Sequence, residues 1–393
     1  MMEYRFSELV DIILTVKGNL SSSRPVHLFG AGHPMLLSLS VLLGCDLFDS
    51  AAYVLYAQAL RYLTSYGTKK LNEMKYLPCN CPVCRRYTAQ ELINENEQKR
   101  LELLSSHNLY ATFEEIKIIK EAIHEGTLFE LVESRIRGHP RLLLAYRRIK
   151  DYYGVLEKYD PFTKRSSIFY TGEESNLRPI VKRTKERIRD IKSKKYDEHL
   201  FFGKFPKELE FTYPFGQCEM EEERKDKGDP ELNDEDIVKV IADYQFGPNV
   251  GNKLFHDVVV KRSKTGMIRY VFDQNEVMLA TLRARDGLFT PNIEGLRRLK
   301  EIIPFPKYRI IVDDEAARFI KDGANVFSKF VLDIDENLRA YEEVLIVDSN
   351  DNLLGTGTLM LAPIEVKEFE RGMAVRTRWG IEKNSIQESQ LEY

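Results

Sequence analysis

The segment Pro78-Cys79-Asn80-Cys81-Pro82-Val83-Cys84, followed by His107, places three thiols within six residues and adds an imidazole further along the chain. C-x-C-x2-C closes a tight knuckle whose sulfurs converge without strain, and soft thiolates with one imidazole suit a tetrahedral zinc ion. Cys79, Cys81, Cys84 and His107 are therefore the predicted ligands of one structural Zn2+ per chain. With all four positions supplied by protein, no place is left for an activated water, so the ion holds the fold together and the chemistry sits elsewhere. The competing reading is a set of buried or reactive thiols beside an unrelated histidine, as the isolated Cys45 and Cys218 exemplify.

A chain of 393 residues with 43% hydrophobic side chains can fill several cores of ordinary size, so five cysteines need not form a disulfide framework. The expectation is a reducing cytoplasm. The longest apolar stretch, Met35 to Leu43, is too short for a bilayer and lacks the basic flank of a signal peptide, so no membrane role follows. A formal charge of −3 gives no global nucleic-acid signature. Two segments are locally cationic: Arg135 to Lys150 and Arg178 to Lys195. Either can lie along a phosphate backbone, or each is a solvated helix face offsetting the acidic stretch Glu219 to Asp236.

Apolar positions Phe6, Leu9, Ile12, Ile13 and Val16 predict a helix from Tyr4 to Lys17. Pro25 to Phe29 reads as a strand ending in Gly30-Ala31-Gly32, Pro34 opens a helix through Leu43, and Gly44 to Asp49 reads as a second buried strand. This βαβ pattern implies parallel strands, with ligands gathering at their carboxyl ends, near Phe29 to His33 and Asp49-Ser50. Asp49 is placed to act; the alternative is a loop cap, and Asp46 is a competing carboxylate. Phe29 is a candidate base-stacking face or plain core, and His33 reads better as a helix start than as an acid or base. Further helices run from Thr112 to Tyr153, and two strands make at most the last quarter of an eight-stranded barrel.

Residues 1–153 are thus read as a partial catalytic barrel with a zinc subdomain, and 154–232 as a small α+β domain. Residues 233–305 form a second α+β domain with a helix to Tyr244 and strands at Asp257 to Lys261, Ile268 to Phe272 and Val277 to Leu282. Residues 306–393 close the chain as a small β-barrel with strands at Arg309 to Val312, Val344 to Val347 and Val375 to Thr377, flanking turns around Gly323, Gly355, Gly357 and Gly372.

HLFGAGHP, GCDLFDSAAY and PCNCPVC with His107-Asn108 resemble the archaeal tRNA-guanine transglycosylases. ADYQFG from Ala242 and ATLRARDGLFTPNIEG from Ala280 resemble that family's added domains. The Ala316 to Ala324 helix, LIVDSNDNLLGTG and the Gly372 to Arg376 strand resemble a PUA domain. The fold class implied is multidomain α/β and α+β: the last βα units of a TIM-type (β/α)8 barrel with a zinc insertion, two small α+β domains and a PUA barrel. The activity implied is replacement of guanine at position 15 of the tRNA D-loop by 7-cyano-7-deazaguanine in archaeosine formation. Asp49 matches the family nucleophile, attacking ribose C1′ as guanine departs; Phe29, Gly30 and Gly32 match base-binding positions. Arg376 and Arg378 are candidate phosphate contacts, with Phe369 or Trp379 beside them.

The amino-terminal part of the family's barrel, with its second catalytic aspartate, has no counterpart here. Because the first helix follows a methionine, the expectation is a split enzyme, inactive alone, whose other half is a separate chain. A truncated sequence is the alternative. Two rival functions are a non-catalytic tRNA-binding subunit, with Asp49 vestigial, and an archaeosine synthase-like paralogue, against which the intact FDSAAY segment argues.

Overall fold

The computed structural model describes residues 5–219 and 232–382. They form two compact units, the first Met1–Leu156 with Thr171–Arg178 and the second Glu157–Tyr170 with Pro179–Tyr393.

In the first unit the helix Phe6–Lys17 buries Phe6, Leu9, Val10, Ile13 and Leu14, the stripe that its periodicity predicts. Tyr4, the predicted start, lies outside the described residues. The helix Pro34–Leu42 buries every residue from Pro34 to Ser40, its apolar run with Ser38 and Ser40 inside it. It connects two strands, His27–Leu28 and Leu47–Phe48, which pair in parallel with His27 opposite Leu47 and Leu28 opposite Phe48. The predicted βαβ unit is present, but each strand is only two residues long.

The next 80 or so residues depart further from expectation. A hairpin pairs Arg61–Thr64 with Gly67–Lys70, and a 29-residue helix, Glu97–Glu125, starts well before the predicted Thr112. Its start follows from an Asn96 side-chain cap on Lys99 N–H, and its stop from Gly126 in the left-handed region at φ 76°. Helices Leu128–Ile136 and Pro140–Tyr146 complete the unit. Glu133, wholly buried, binds Arg178 through two 2.7 Å contacts and accepts from Tyr146 (3.1 Å), Ser175 (2.7 Å) and Thr171, which ties the returning segment 171–178 to the helix.

The second unit has one continuous core. It contains the helix Pro179–Ile188, the helix Asp234–Phe246 and a four-stranded antiparallel sheet ordered Phe289–Pro291, Met278–Leu282, Ile268–Phe272, Val259–Arg262. The strand Phe289–Pro291 was not expected, because a proline and three residues carry no alternation. The carboxyl-terminal sheet has six strands, ordered Val326–Phe327, Met373–Gly380, Leu353–Leu359, Glu343–Val347, Arg309–Val312, Val331–Ile334. It is antiparallel except where Arg309–Val312 meets Glu343–Val347, and it is a PUA-type barrel-like sheet. Gly355 and Gly357, expected in turns, lie inside Leu353–Leu359. The acidic stretch Glu219 to Asp236 falls largely outside the described residues.

Candidate catalytic edge and metal centre

The two parallel strands end side by side, so Phe29-Gly30 and Asp49-Ser50 meet at one edge. Asp49 Oδ1 accepts Gly30 N–H at 2.9 Å and faces His27 Nε2 at 3.2 Å. Both donors converge on one carboxylate oxygen, and Oδ2 has no hydrogen-bond partner among the described residues. The carboxylate and the imidazole are each about half exposed, at 49% and 45%. Phe29 stands 82% exposed, its ring edge-on to His27 at 6.1 Å between centroids.

The two glycines serve different ends. Gly30 holds φ at 74°, which side-chain-bearing residues rarely adopt, and this turns its N–H toward Asp49. Gly32 is needed for space: a Cβ there would lie 2.3 Å from Ser50 Cβ, so its absence lets the two loops close on each other. Asp46, the competing carboxylate, accepts Val26 N–H at 2.7 Å and joins the strands. His33 caps its helix by accepting Met35 N–H at 3.2 Å, and burial lowers its pKa to about 4, so it is neutral at physiological pH. His27 was not singled out from the sequence; its place opposite Asp49 depends on the strand register, and HLF reads equally well as an ordinary strand.

Cys79, Cys81, Cys84 and His107 converge, with ligand atoms all within 4.8 Å of one another. His107 Nδ1 lies 3.6 Å from Cys81 Sγ and 3.4 Å from Cys84 Sγ. A tetrahedral zinc with bonds of about 2.3 Å to sulfur and about 2.05 Å to nitrogen requires edges of about 3.6 Å, so the residues fit the ion. His107 Nε2 donates to Leu63 carbonyl at 3.1 Å, which fixes the tautomer that leaves Nδ1 for a metal. Burial lowers the imidazole pKa to about 4, so the neutral ligand form prevails. Tyr62 stacks on the ring at 3.6 Å, and its hydroxyl lies 3.4 Å from Cys84 Sγ. Asn108 clamps the neighbouring backbone: Oδ1 accepts Leu63 N–H at 2.9 Å, and the amide donates to the Tyr53 and Arg61 carbonyls at 3.0 and 3.1 Å.

Most arginines of the basic segments are held in ion pairs. Arg135 binds buried Glu115, Arg137 and Arg147 bind Glu174, and Arg178 is 2% exposed between Glu130 and Glu133. Arg183 binds Glu157 and Asp160, and Arg187 binds Glu342. Their partners are mostly buried carboxylates distant in sequence; in the described part of the acidic stretch only Asp236 pairs with the second segment, through Lys194. Arg376 is exposed, whereas Arg378 binds buried Glu343 at 3.0 Å and Thr358 at 3.1 Å. Trp379 and Phe369 are half-buried. Two acids of the same sheet region, Glu342 and Glu343, are 1% and 2% exposed.

The family model described as queuine tRNA-ribosyltransferase matches residues 1–141. Models of the transglycosylase C1 dimerisation domain, the patch-forming C2 domain and the PUA domain match 161–226, 236–306 and 308–381. The tRNA-guanine(15) transglycosylase of Methanocaldococcus jannaschii is 42% identical, aligned over 98% of this chain and 70% of its own length. This chain belongs to the tRNA-guanine transglycosylase family. The transglycosylases of Thermococcus onnurineus and Pyrococcus furiosus are each 48% identical, over 98% and 97% of this chain. The chain spans 66% and 65% of the length of those two relatives. Among the described residues no helix is long and apolar enough to cross a membrane.

Proposed function

We propose that this chain carries the nucleophile-bearing, zinc-stabilised part of a transglycosylase that exchanges guanine at position 15 of tRNA for 7-cyano-7-deazaguanine, a step of archaeosine formation. The observation that carries the reading is the strand-end cluster in which Asp49 Oδ1 is held by Gly30 and His27, Oδ2 has no partner among the described residues, and Phe29 stands exposed beside them.

In this reading the target nucleotide leaves the stack and its base lies against Phe29. Asp49 Oδ2 attacks ribose C1′; the C1′–N9 bond breaks, its electron pair leaves with guanine, and N9 takes a proton from a general acid. The resulting ester is then displaced by N9 of 7-cyano-7-deazaguanine, which gives its proton to a base, and the carboxylate departs. Two inversions retain configuration at C1′, as in a retaining glycosidase with a base in place of water. The zinc orders the knuckle and takes no part in the exchange. The PUA domain holds the tRNA, with Arg376 and Arg378 as phosphate-side candidates.

The general acid and base require a group within hydrogen-bond reach of the departing purine. A two-stranded parallel sheet is no barrel, and Phe29, Leu47 and Leu55 are 82%, 51% and 57% exposed around it. We place the missing strands and the second carboxylate on a separate polypeptide that covers this apolar face.

The test is guanine exchange into unmodified tRNA by zinc-replete protein, alone, with the partner chain, and with Asp49→Ala in the mixture. Exchange that needs both partner and Asp49 supports the proposal. Binding of tRNA with no exchange in any mixture would instead identify a tRNA-binding subunit whose Asp49 is vestigial.

A further inference from the structure

His27 neither attacks nor moves a proton in this exchange, yet it touches the carboxylate oxygen opposite the attacking one. It sits on the strand His27–Leu28, its Nε2 3.2 Å from Asp49 Oδ1, and Asp49 is its one ionisable partner among the described residues. Of the other carboxylates near this sheet, Asp46 is turned to Val26 N–H at 2.7 Å. The remaining neighbour in ring contact with His27 is Phe29, which carries no charge.

We propose that His27 is a positioning residue for Asp49: its Nε2–H, together with Gly30 N–H, pins Oδ1 so that Oδ2 points away as the attacking atom. The assignment rests on the transglycosylase reading. Gly30 N–H alone fixes one oxygen but leaves the carboxylate to swing about that bond. A second donor on the same oxygen, from the neighbouring strand, removes the swing. The strand register makes this possible, since pairing His27 with Leu47 brings the histidine ring alongside the residue two places beyond Leu47.

The imidazole also gives the device a protonation state. Neutral His27 in the Nε2–H tautomer donates to Oδ1 and leaves the carboxylate its full charge. Imidazolium donates as well, but its added positive charge stabilises the carboxylate and opposes the positive charge that develops at C1′ in an oxocarbenium-like transition state. Exchange should therefore be slower when the imidazole is protonated, and this acid limb should belong to kcat more than to KM.

Two measurements test this. In the assembled enzyme, His27→Ala is expected to lower kcat about tenfold or more with KM changed little. His27→Gln, which keeps an N–H donor but cannot ionise, should recover much of that loss and abolish the acid limb. In the chain itself, NMR of the ring nitrogens of the seven histidines, assigned with the His27 variants, should show a hydrogen-bonded His27 Nε2–H whose signature is lost in Asp49→Ala. A His27 Nε2–H signature unchanged in Asp49→Ala, or an acid limb that survives in His27→Gln, overturns the assignment. Exchange that persists unaltered in both His27 variants overturns the assignment alone, whereas no exchange from any assembly overturns the transglycosylase reading and this role with it.

Discussion

Removing the metal from the knuckle should unfold it while the rest of the first unit stays folded. The core beside the ligands has five large apolar or aromatic side chains, Tyr62, Leu71, Val83, Leu92 and Leu104. At ~1.5–3 kcal/mol each, their burial contributes roughly 8–15 kcal/mol. Ordering the backbone of residues 71–87 costs roughly 17–34 kcal/mol at ~1–2 kcal/mol per residue. A structural zinc worth ~10–16 kcal/mol closes the difference, and nothing else in the segment is of that size. The assay is hydrogen exchange by mass spectrometry on chelator-treated and zinc-replete protein, with released zinc counted. One zinc per chain is expected. Losing even ~4 kcal/mol of local stability speeds exchange about a thousandfold, so residues 71–87 should lose protection by at least that factor. The helix Phe6–Lys17, in a separate core, should be unaffected. His107→Ala should reproduce the effect. A knuckle that stays protected without metal, or protein that binds substoichiometric zinc, would refute the argument.

Arg178→Met should destabilise the helix Leu128–Ile136 by ~3–5 kcal/mol, because it strands the buried Glu133 carboxylate, while Glu133→Leu with Arg178→Met should recover most of the loss; hydrogen exchange of that helix distinguishes the two. Burial by itself raises the Glu133 pKa, but hydrogen bonds and charge from Arg178, with Thr171 and Ser175, outweigh it and hold the value below normal. A depressed carboxylate stabilises above its unfolded pKa of about 4.3 and loses that stabilisation as pH falls through the folded value, so the same helix should open increasingly below about pH 4. Asn108→Ala removes three backbone hydrogen bonds in a buried place and should cost ~2–4 kcal/mol, read as faster exchange in the hairpin Arg61–Thr64 and Gly67–Lys70. Arg376→Ala should weaken tRNA binding and reduce the salt slope by ~1, whereas Arg378→Ala, which leaves buried Glu343 with Arg283 as its one remaining cation, should act mainly on stability in thermal unfolding.

The convergence of Cys79, Cys81, Cys84 and His107 was legible because C-x-C-x2-C constrains geometry locally, and the histidine needed only a helix to carry it back. The βαβ unit was legible because a predominantly apolar helix between two short apolar runs leaves few alternatives. Strand length was not: Pro25 to Phe29 and Gly44 to Asp49 read as five or six residues each, yet only two of each pair, since a two-stranded ladder has no further neighbour to extend it. The hairpin at Arg61 escaped because RYLT and GTKK lack a common apolar face. His27 escaped because its role is set by register, a property of two strands that neither sequence carries alone.

The cationic segments show the limit of local charge as a guide to nucleic-acid contact. In the helix Pro179–Ile188 the basic residues are Lys182, Arg183, Lys185 and Arg187, yet the two arginines are committed to Glu157, Asp160 and Glu342 inside the second unit. Composition cannot separate a planar guanidinium that will bind a buried carboxylate from one that will meet a phosphate, since the same geometry serves both. Exposure separates them, and it assigns the solvent side of this helix to lysines. Lys185→Glu should therefore leave folding intact and, if this face meets RNA, flatten the salt dependence of tRNA binding by about one phosphate. Arg183→Met should do the reverse, lowering the unfolding temperature of the second unit with no change of salt slope in whatever protein remains folded. Equal effects of the two substitutions on binding would mean that the buried arginine reaches RNA after all, and that the ion pairs described here open when it does.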